Sequence, residues 1–171
     1  MTRINGLVII YKKRSDLIKM QFNKAMTATV YIIHDNKVLL HMHKKYKTWF
    51  PVGGHVEPDE FPYQTAIREA KEESGFNIEL VRTEIAGDYD IGRVERIPMP
   101  FCTYQCGSEK EFYDFNFIAA IKSGELSPAD GESTEFRWFC REELENTDEV
   151  KVHIKNTALA VFDFIKNSSP F

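Results

Sequence analysis

The sequence is poor in cysteine, carries no excess of basic charge and has no long apolar run, and each absence removes a class of protein. Three cysteines in 171 residues, Cys102, Cys106 and Cys140, are too few and too unevenly placed for a disulfide framework. The Cys102/Cys106 spacing has no second ligand pair with which to hold zinc, so all three read as ordinary thiols of a reducing compartment. The longest apolar run near the start, Leu7 to Tyr11, is far shorter than a signal-peptide core or a membrane span, which points to a cytoplasmic protein with no membrane partner. With Lys and Arg at 22 against Asp and Glu at 26, the net charge of −4 excludes the clustered basic face that grips long nucleic acid. Small nucleotides stay open as substrates. There is also no internal repeat, no low-complexity tract and no Gly/Ser/Pro-rich linker, and a 43% hydrophobic chain of this length suits one compact domain.

What is present has the grammar of a mixed α and β domain. "TATVYIIHDNKVLLHM", residues 27–42, is two β-rich runs around Asp35 and Asn36, a hairpin signal. The prolines and paired glycines of "HKKYKTWFPVGG" mark a loop. A helix follows: Asp59 or Glu60 is expected to cap it, Pro62 suits its first turn, and Gly75 stops it after about Ser74. "NIELVRTEIAGDYD", "RIPMPFCTYQC", "EFYDFNFIAAIK" and "EFRWF" then read as strands, and "REELEN" as a short polar helix. In the last stretch Ile154, Ala158, Leu159, Phe162 and Ile165 recur at helical spacing, so one face of a closing helix should pack on the core. Strands, a helix, more strands and a final helix indicate an α+β or mixed-sheet sandwich, not a doubly wound fold. Residues 1–25 form an N-terminal extension without an evident role; a homodimer, if formed, would be contacted there.

The helix in "GHVEPDEFPYQTAIREAKEESGF", residues 54–76, concentrates negative charge. At about 100° per residue, Glu69, Glu72 and Glu73 share one arc, beside a stripe of Tyr63, Ile67, Ala70 and Ser74 suited to burial. Like charges at this spacing cost roughly 0.2–0.5 kcal/mol per pair, and no lysine follows Glu69 or Glu72 where it would relieve them. A solvated acidic face is one reading. The other is a hard divalent cation, since Mg²⁺ takes oxygen ligands and shares its remaining positions with water and phosphate.

Gly54, five residues, Glu60, seven residues, then Arg68, Glu69, Ala70, Lys71, Glu72, Glu73, Ser74, Gly75 and Phe76 resembles the signature box of the Nudix hydrolases at each of its fixed positions. The one departure is Ala70, where the family usually carries a larger aliphatic residue, and it touches packing only. The resemblance implies an α/β/α sandwich with a mixed sheet over residues 26–171 and a metal-dependent hydrolase that cleaves a diphosphate bond in a nucleoside diphosphate linked to another group. It implies Mg²⁺, or Mn²⁺, held by Glu69, Glu72 and Glu73 with the carbonyl of Gly53. Arg68 would hold the glutamates in register and Glu60 would support it. For the general base it leaves Glu69 first and Glu132, in "GESTEFRWF", second.

Substrate contacts are less sharply marked. Lys44, Lys45 and Lys47 in "HMHKKYKTW" lie close to the loop entering the box, His41 and His43 share a strand face, and Arg93 and Arg96 sit between strands, so Lys44, Lys47 and Arg93 are the candidates for phosphate. Phe101, Tyr104 or Tyr113 are candidates for stacking on a base. No coenzyme A signature and no "SQPWPFP" stretch is present. A nucleoside triphosphate or modified nucleotide is the expected substrate, with an ADP-ribose or nucleotide-sugar pyrophosphatase and a catalytically silent ligand-sensing module as alternatives.

Overall fold

The computed structural model describes residues 2–4, 7–9, 24–81, 101–106 and 111–168. Three segments carry the centre of the fold. Strand β3 (Lys24–His34) turns through Asp35 and Asn36 into β4 (Lys37–Met42), and both turn residues have positive φ, 47° and 56°. That geometry needs residues that tolerate the left-handed region, which is why Asp-Asn joins the strands and sets the register Ile33↔Val38. Strand β9 (Glu111–Ser123) lies parallel to β3 along its length, with Thr29 opposite Asn116.

Among the described residues, the remaining strands extend this centre into a mixed sheet of eight strands. β10 (Phe136–Cys140) pairs with β4, β7 (Asn77–Leu80) and β8 (Phe101–Cys106) pair with β9, β5 (Trp49–Phe50) pairs with β4, and β6 (Val52–His55) pairs with β3, all antiparallel. Among the described residues, β1 (Thr2–Ile4) and β2 (Leu7–Ile9) pair with each other and with no other strand. The strand expected from Asn77 begins as β7; its continuation past 81 lies outside the described residues, as do Arg93 and Arg96.

Because strand side chains alternate, each central strand feeds two cores. Ala28, Val30 and Ile32 of β3, with Leu39 and Phe117, pack against Ala66 and Ala70 of helix α1 (Pro62–Ser74). Tyr31 and Ile33, with Val38, Leu40 and Ile118, pack against Ile154, Ala158 and Val161 of α3 (Val152–Ser168), helped by Leu144 of α2 (Arg141–Asn146). Each fully buried Val, Leu, Ile or Phe among them contributes about 1.5–3 kcal/mol. The result is an α+β sandwich with helices on both faces of a mixed sheet. On α3 the deepest residues are Ile154, Ala158 and Val161, whereas Leu159, Phe162 and Ile165 of the expected stripe lie at its edge.

Helix α1 corrects two expectations. Neither Asp59 nor Glu60 caps it: the N-cap is Phe61, in extended conformation, and its N–H donates to Gln64 Oε1 at 2.8 Å. Glu60 is drawn away by Arg68 and Thr65, as described below. Ile67 is 42% exposed, and the buried row is Thr65, Ala66, Ala70 and Ser74, because the sheet is met by the small residues one position earlier. At the other end Gly75 has φ +82° and its N–H donates to Lys71 O at 2.9 Å.

The backbone of residues 125–129 closes over that helix end, with Ser127 N–H donating to Ser74 O and Ala129 N–H to Glu72 O. A Cβ on Gly75 would lie 2.6 Å from Ser127 O and 2.7 Å from Glu125 O, in a conformation that L side chains avoid. Gly75→Ala is therefore expected to lose about 1–3 kcal/mol of stability. The check is a lower urea midpoint at unchanged m-value; an unshifted midpoint would show that the loop yields freely.

Candidate active site

One guanidinium organises the acidic helix. Arg68 Nε donates to Glu60 Oε1 at 2.7 Å and Nη2 to Glu60 Oε2 at 3.0 Å, a two-pronged pair, while Nη1 donates to Glu69 Oε1 at 2.8 Å and Glu72 Oε2 at 3.0 Å. Thr65 Oγ1 also donates to Glu60, at 2.7 Å. With Arg68 first among the causes, the Glu60 carboxyl is held down to about 2, and the surrounding carboxylates hold the Arg68 guanidinium well above its ordinary range.

Two glycines of β6 receive the other carboxylates. Gly53 N–H donates to Glu73 Oε2 at 2.7 Å. The Glu69 carboxylate lies against the side-chain-free face of Gly54, where an added Cβ would be 2.1 Å from Glu69 Oε1. Glu69 and Glu73 are 16% and 12% exposed, against 50% for Glu72, so the acidic face is not a solvated one throughout. Burial pushes both carboxyls up, Glu73 to about 8, and the neighbouring charges of Glu132 and the other glutamates add to it.

Glu132 reaches this group through an anchored loop. Its segment is held to the end of α1 by the Ser127 and Ala129 bonds, Glu132 N–H donates to Ala129 O at 3.0 Å, and Lys44 Nζ donates to Gly131 O. Lys44 thus binds the loop instead of standing free for a ligand. Lys47 occupies an exposed turn with φ 51° and its N–H on His43 O, and Arg93 lies outside the described residues.

The oxygens present fit a hard cation. Glu69, Glu72 and Glu73 supply the donor type that Mg²⁺ or Mn²⁺ takes, and two of them are buried carboxyls lacking a full countercharge, a deficit that a bound dication removes. Among the described residues no three such groups already converge at ligand distance, because Arg68 holds Glu69 and Glu72 while Gly53 holds Glu73.

Beside Gly53 and Gly54 lies a pocket of about 320 Å³. Lys45, not Lys44 or Lys47, lines it, with Tyr46, His41 and Asp114 among its other walls. His41 is 4% exposed, and its Nε2 lies 4.0 Å from Glu73 Oε1; burial first, then the neighbouring His43, lowers its imidazole to about 4, so it is neutral. Asp114, Thr27 and Thr29 were not anticipated as site residues. The signal for Asp114 was there: it stands two residues from Asn116 in an otherwise apolar and aromatic strand, a polar pair on the same row of "EFYDFNFIAAIK". Of the stacking candidates, Tyr113 is exposed on the opposite row, and Phe101 and Tyr104 lie on β8, in register with Asn116 and Tyr113.

Comparison with known proteins places this geometry. The family model of the NUDIX domain matches residues 23–159. A crystal structure of a NUDIX-family hydrolase from Clostridium perfringens is 32% identical, with TM-score 0.68 over 82% of this chain and 97% of that one. The MutT protein of Methanosarcina mazei is 16% identical with TM-score 0.61, covering 88% of this chain and 100% of that one. An ADP-ribose pyrophosphatase from Streptococcus suis is 18% identical with TM-score 0.55, covering 84% and 92%. These two share the fold. No curated protein sequence matches the chain.

Two outcomes follow from the way the carboxylates are seated. Gly54→Ala displaces the Glu69 carboxylate, the flexible end of its side chain, so the fold should survive while Mn²⁺ affinity falls about 10–100-fold by calorimetric titration. Unchanged affinity would refute the seat. Glu73 ordinarily titrates at 4.5 and is raised to about 8 in the metal-free fold, so its favourable share of stability is intact below 4.5 and is lost as the pH climbs through about 8. The rise in Tm on saturation with Mg²⁺ should accordingly be larger at the alkaline end of that window than at the acid end.

Proposed function

The chain belongs to the Nudix hydrolase family, and on that premise we propose that it is a divalent-metal-dependent pyrophosphohydrolase acting on a nucleoside triphosphate or a modified nucleotide. The observation that carries this reading is the joint seating of Glu69 and Glu73 on Gly54 and Gly53, with Arg68 ordering Glu60, Glu69 and Glu72 alongside. Members of the family generally use divalent metal ions on small nucleotide substrates.

In this reading Glu69, Glu72 and Glu73, with the Gly53 carbonyl, hold Mg²⁺ or Mn²⁺. The bound cation supplies charge neutralisation for the diphosphate and acidifies a water. The chain's own residues do the rest. Arg68 keeps Glu69 and Glu72 oriented by charge-assisted hydrogen bonds, and Glu60 holds Arg68 in place by occupying its Nε and Nη2. Glu69 takes the proton of the attacking water as first candidate, since burial raises its carboxyl toward the range useful to a base. Glu132 is the second candidate, close enough that its charge is felt by both Glu69 and Glu73.

Glu69→Gln and Glu73→Gln should each reduce Mg²⁺-dependent turnover by at least about 10²-fold at unchanged far-UV circular dichroism, while Glu132→Gln separates the two base candidates by the size of its own loss. Phosphate and pyrophosphate release over nucleoside triphosphates, nucleotide sugars, ADP-ribose and dinucleotides is the decisive panel. Turnover confined to sugar-linked compounds would shift the assignment to a nucleotide-sugar or ADP-ribose pyrophosphatase. Binding with no turnover of any compound would make the chain a sensing module.

A further inference from the structure

Of the three glutamates assigned to the cation, Glu73 is held differently from the others. The hydrogen bonds of Arg68 go to Glu60, Glu69 and Glu72, whereas Glu73 Oε2 accepts from Gly53 N–H at 2.7 Å. Its second oxygen meets a histidine: Oε1 lies 4.0 Å from His41 Nε2. That meeting follows from strand alternation. Leu39 of β4 packs with Ala66 and Ala70 in the core under α1, so His41, two positions further on, stands on the same face of the sheet, toward the helix that carries Glu73. An otherwise apolar row ends in an imidazole.

This imidazole is buried and packed in place. His41 is 4% exposed, and its ring stacks on that of Phe136, its register partner on β10, with centroids 5.9 Å apart and an interplanar angle of 28°. His41 Nδ1 is buried and has no hydrogen-bond partner among the described residues. A neutral imidazole carries one N–H and one bare nitrogen, and which is which depends on the partners available. A proton on Nδ1 would be a buried donor without an acceptor, at full desolvation cost; on Nε2 it has a carboxylate oxygen 4.0 Å away. The proton therefore belongs on Nε2, facing Glu73.

We propose that His41 is a positioning residue for the metal site, donating its Nε2–H to Glu73 Oε1 when Glu73 holds its cation, so that Gly53 and His41 together fix both oxygens of that carboxylate. The inference rests on the proposed function, for it concerns how that cation is held. Closing the gap to hydrogen-bond length asks for about 1 Å of movement, within the reach of a glutamate side chain. A ligating carboxylate is weakly directed when only one of its oxygens is hydrogen-bonded, and a donor on the second orients its plane. Arg68 performs that service for Glu69 and Glu72 from the helix itself. For Glu73 the donors come from the sheet, one from the β6 backbone and one from a β4 side chain.

The tests read metal binding and the state of the ring, not turnover. In the intact protein labelled with ¹⁵N-histidine, long-range proton–nitrogen correlation should show His41 protonated on Nε2, and saturation with Mg²⁺ should move that nitrogen as the bond to Glu73 forms. A proton on Nδ1, or an Nε2 resonance indifferent to Mg²⁺, overturns the proposal without any variant. His41→Phe keeps a ring against Phe136 and removes both nitrogens, so Mn²⁺ affinity by calorimetry should fall about tenfold or more. His41→Gln places an amide N–H where Nε2 was and should stay within about threefold of the native affinity, whereas the shorter His41→Asn should fall with His41→Phe. A Gln variant as weak as the Phe variant would mean that the ring only packs, and this too defeats the proposal. Native-like Mn²⁺ binding by His41→Phe removes His41 from the site and leaves the metal-dependent hydrolase standing; a native protein that binds no divalent cation defeats both.

Discussion

The close approach of two carboxylates to the paired glycines of β6 is the contact on which the site depends. Glu69 needs the empty face of Gly54, and Glu73 needs the N–H of Gly53. A Cβ on Gly54 would remove the first contact, and β6 displaced from α1 would remove both. The small residues Ala66 and Ala70, buried to zero exposure, let the helix lie near enough to the sheet for that approach. Ala70, where a larger aliphatic is usual in the family, thus sits in a contact that favours small size.

Arg68 resolves the charge problem that the helix sequence sets. A single cation shared among Glu60, Glu69 and Glu72 lowers the repulsion along α1, yet it does not reach Glu73, whose carboxyl is the one pushed furthest up. The unbalanced remainder is therefore concentrated at the glycine pair. Hard cations are attracted to such a place, and the loop that brings Glu132 there deepens the negative potential.

The sheet separates two chemistries and β6 joins them. On one face, carboxylates gather on a helix; on the other, β3 and β9 present Thr27, Thr29 and Asp114 to a pocket walled by aromatic residues of the β4–β5 connection. Both faces draw on the same two strands, whose alternate residues build the hydrophobic cores further along. Period-two alternation thus lets neighbouring positions of β3 and β9 line a pocket and pack a core without conflict.

Much of the acidic helix was legible from spacing because its geometry is local: residues three and four apart on a helix are neighbours whatever surrounds them, and a glycine after the last turn ends it. The hairpin at Asp35 and Asn36 and the mixed sandwich followed in the same way. The capping of α1 by Gln64 instead of Asp59 or Glu60 was not legible, since Glu60 is claimed by an arginine eight residues on. Nor was the fate of Lys44, bound to a carbonyl 87 residues away, or the meeting of Asp114 with Thr27 and Thr29 across two parallel strands. Those pairings are set by strand register and loop closure, and a linear chain carries no local mark of which distant segment it will lie against.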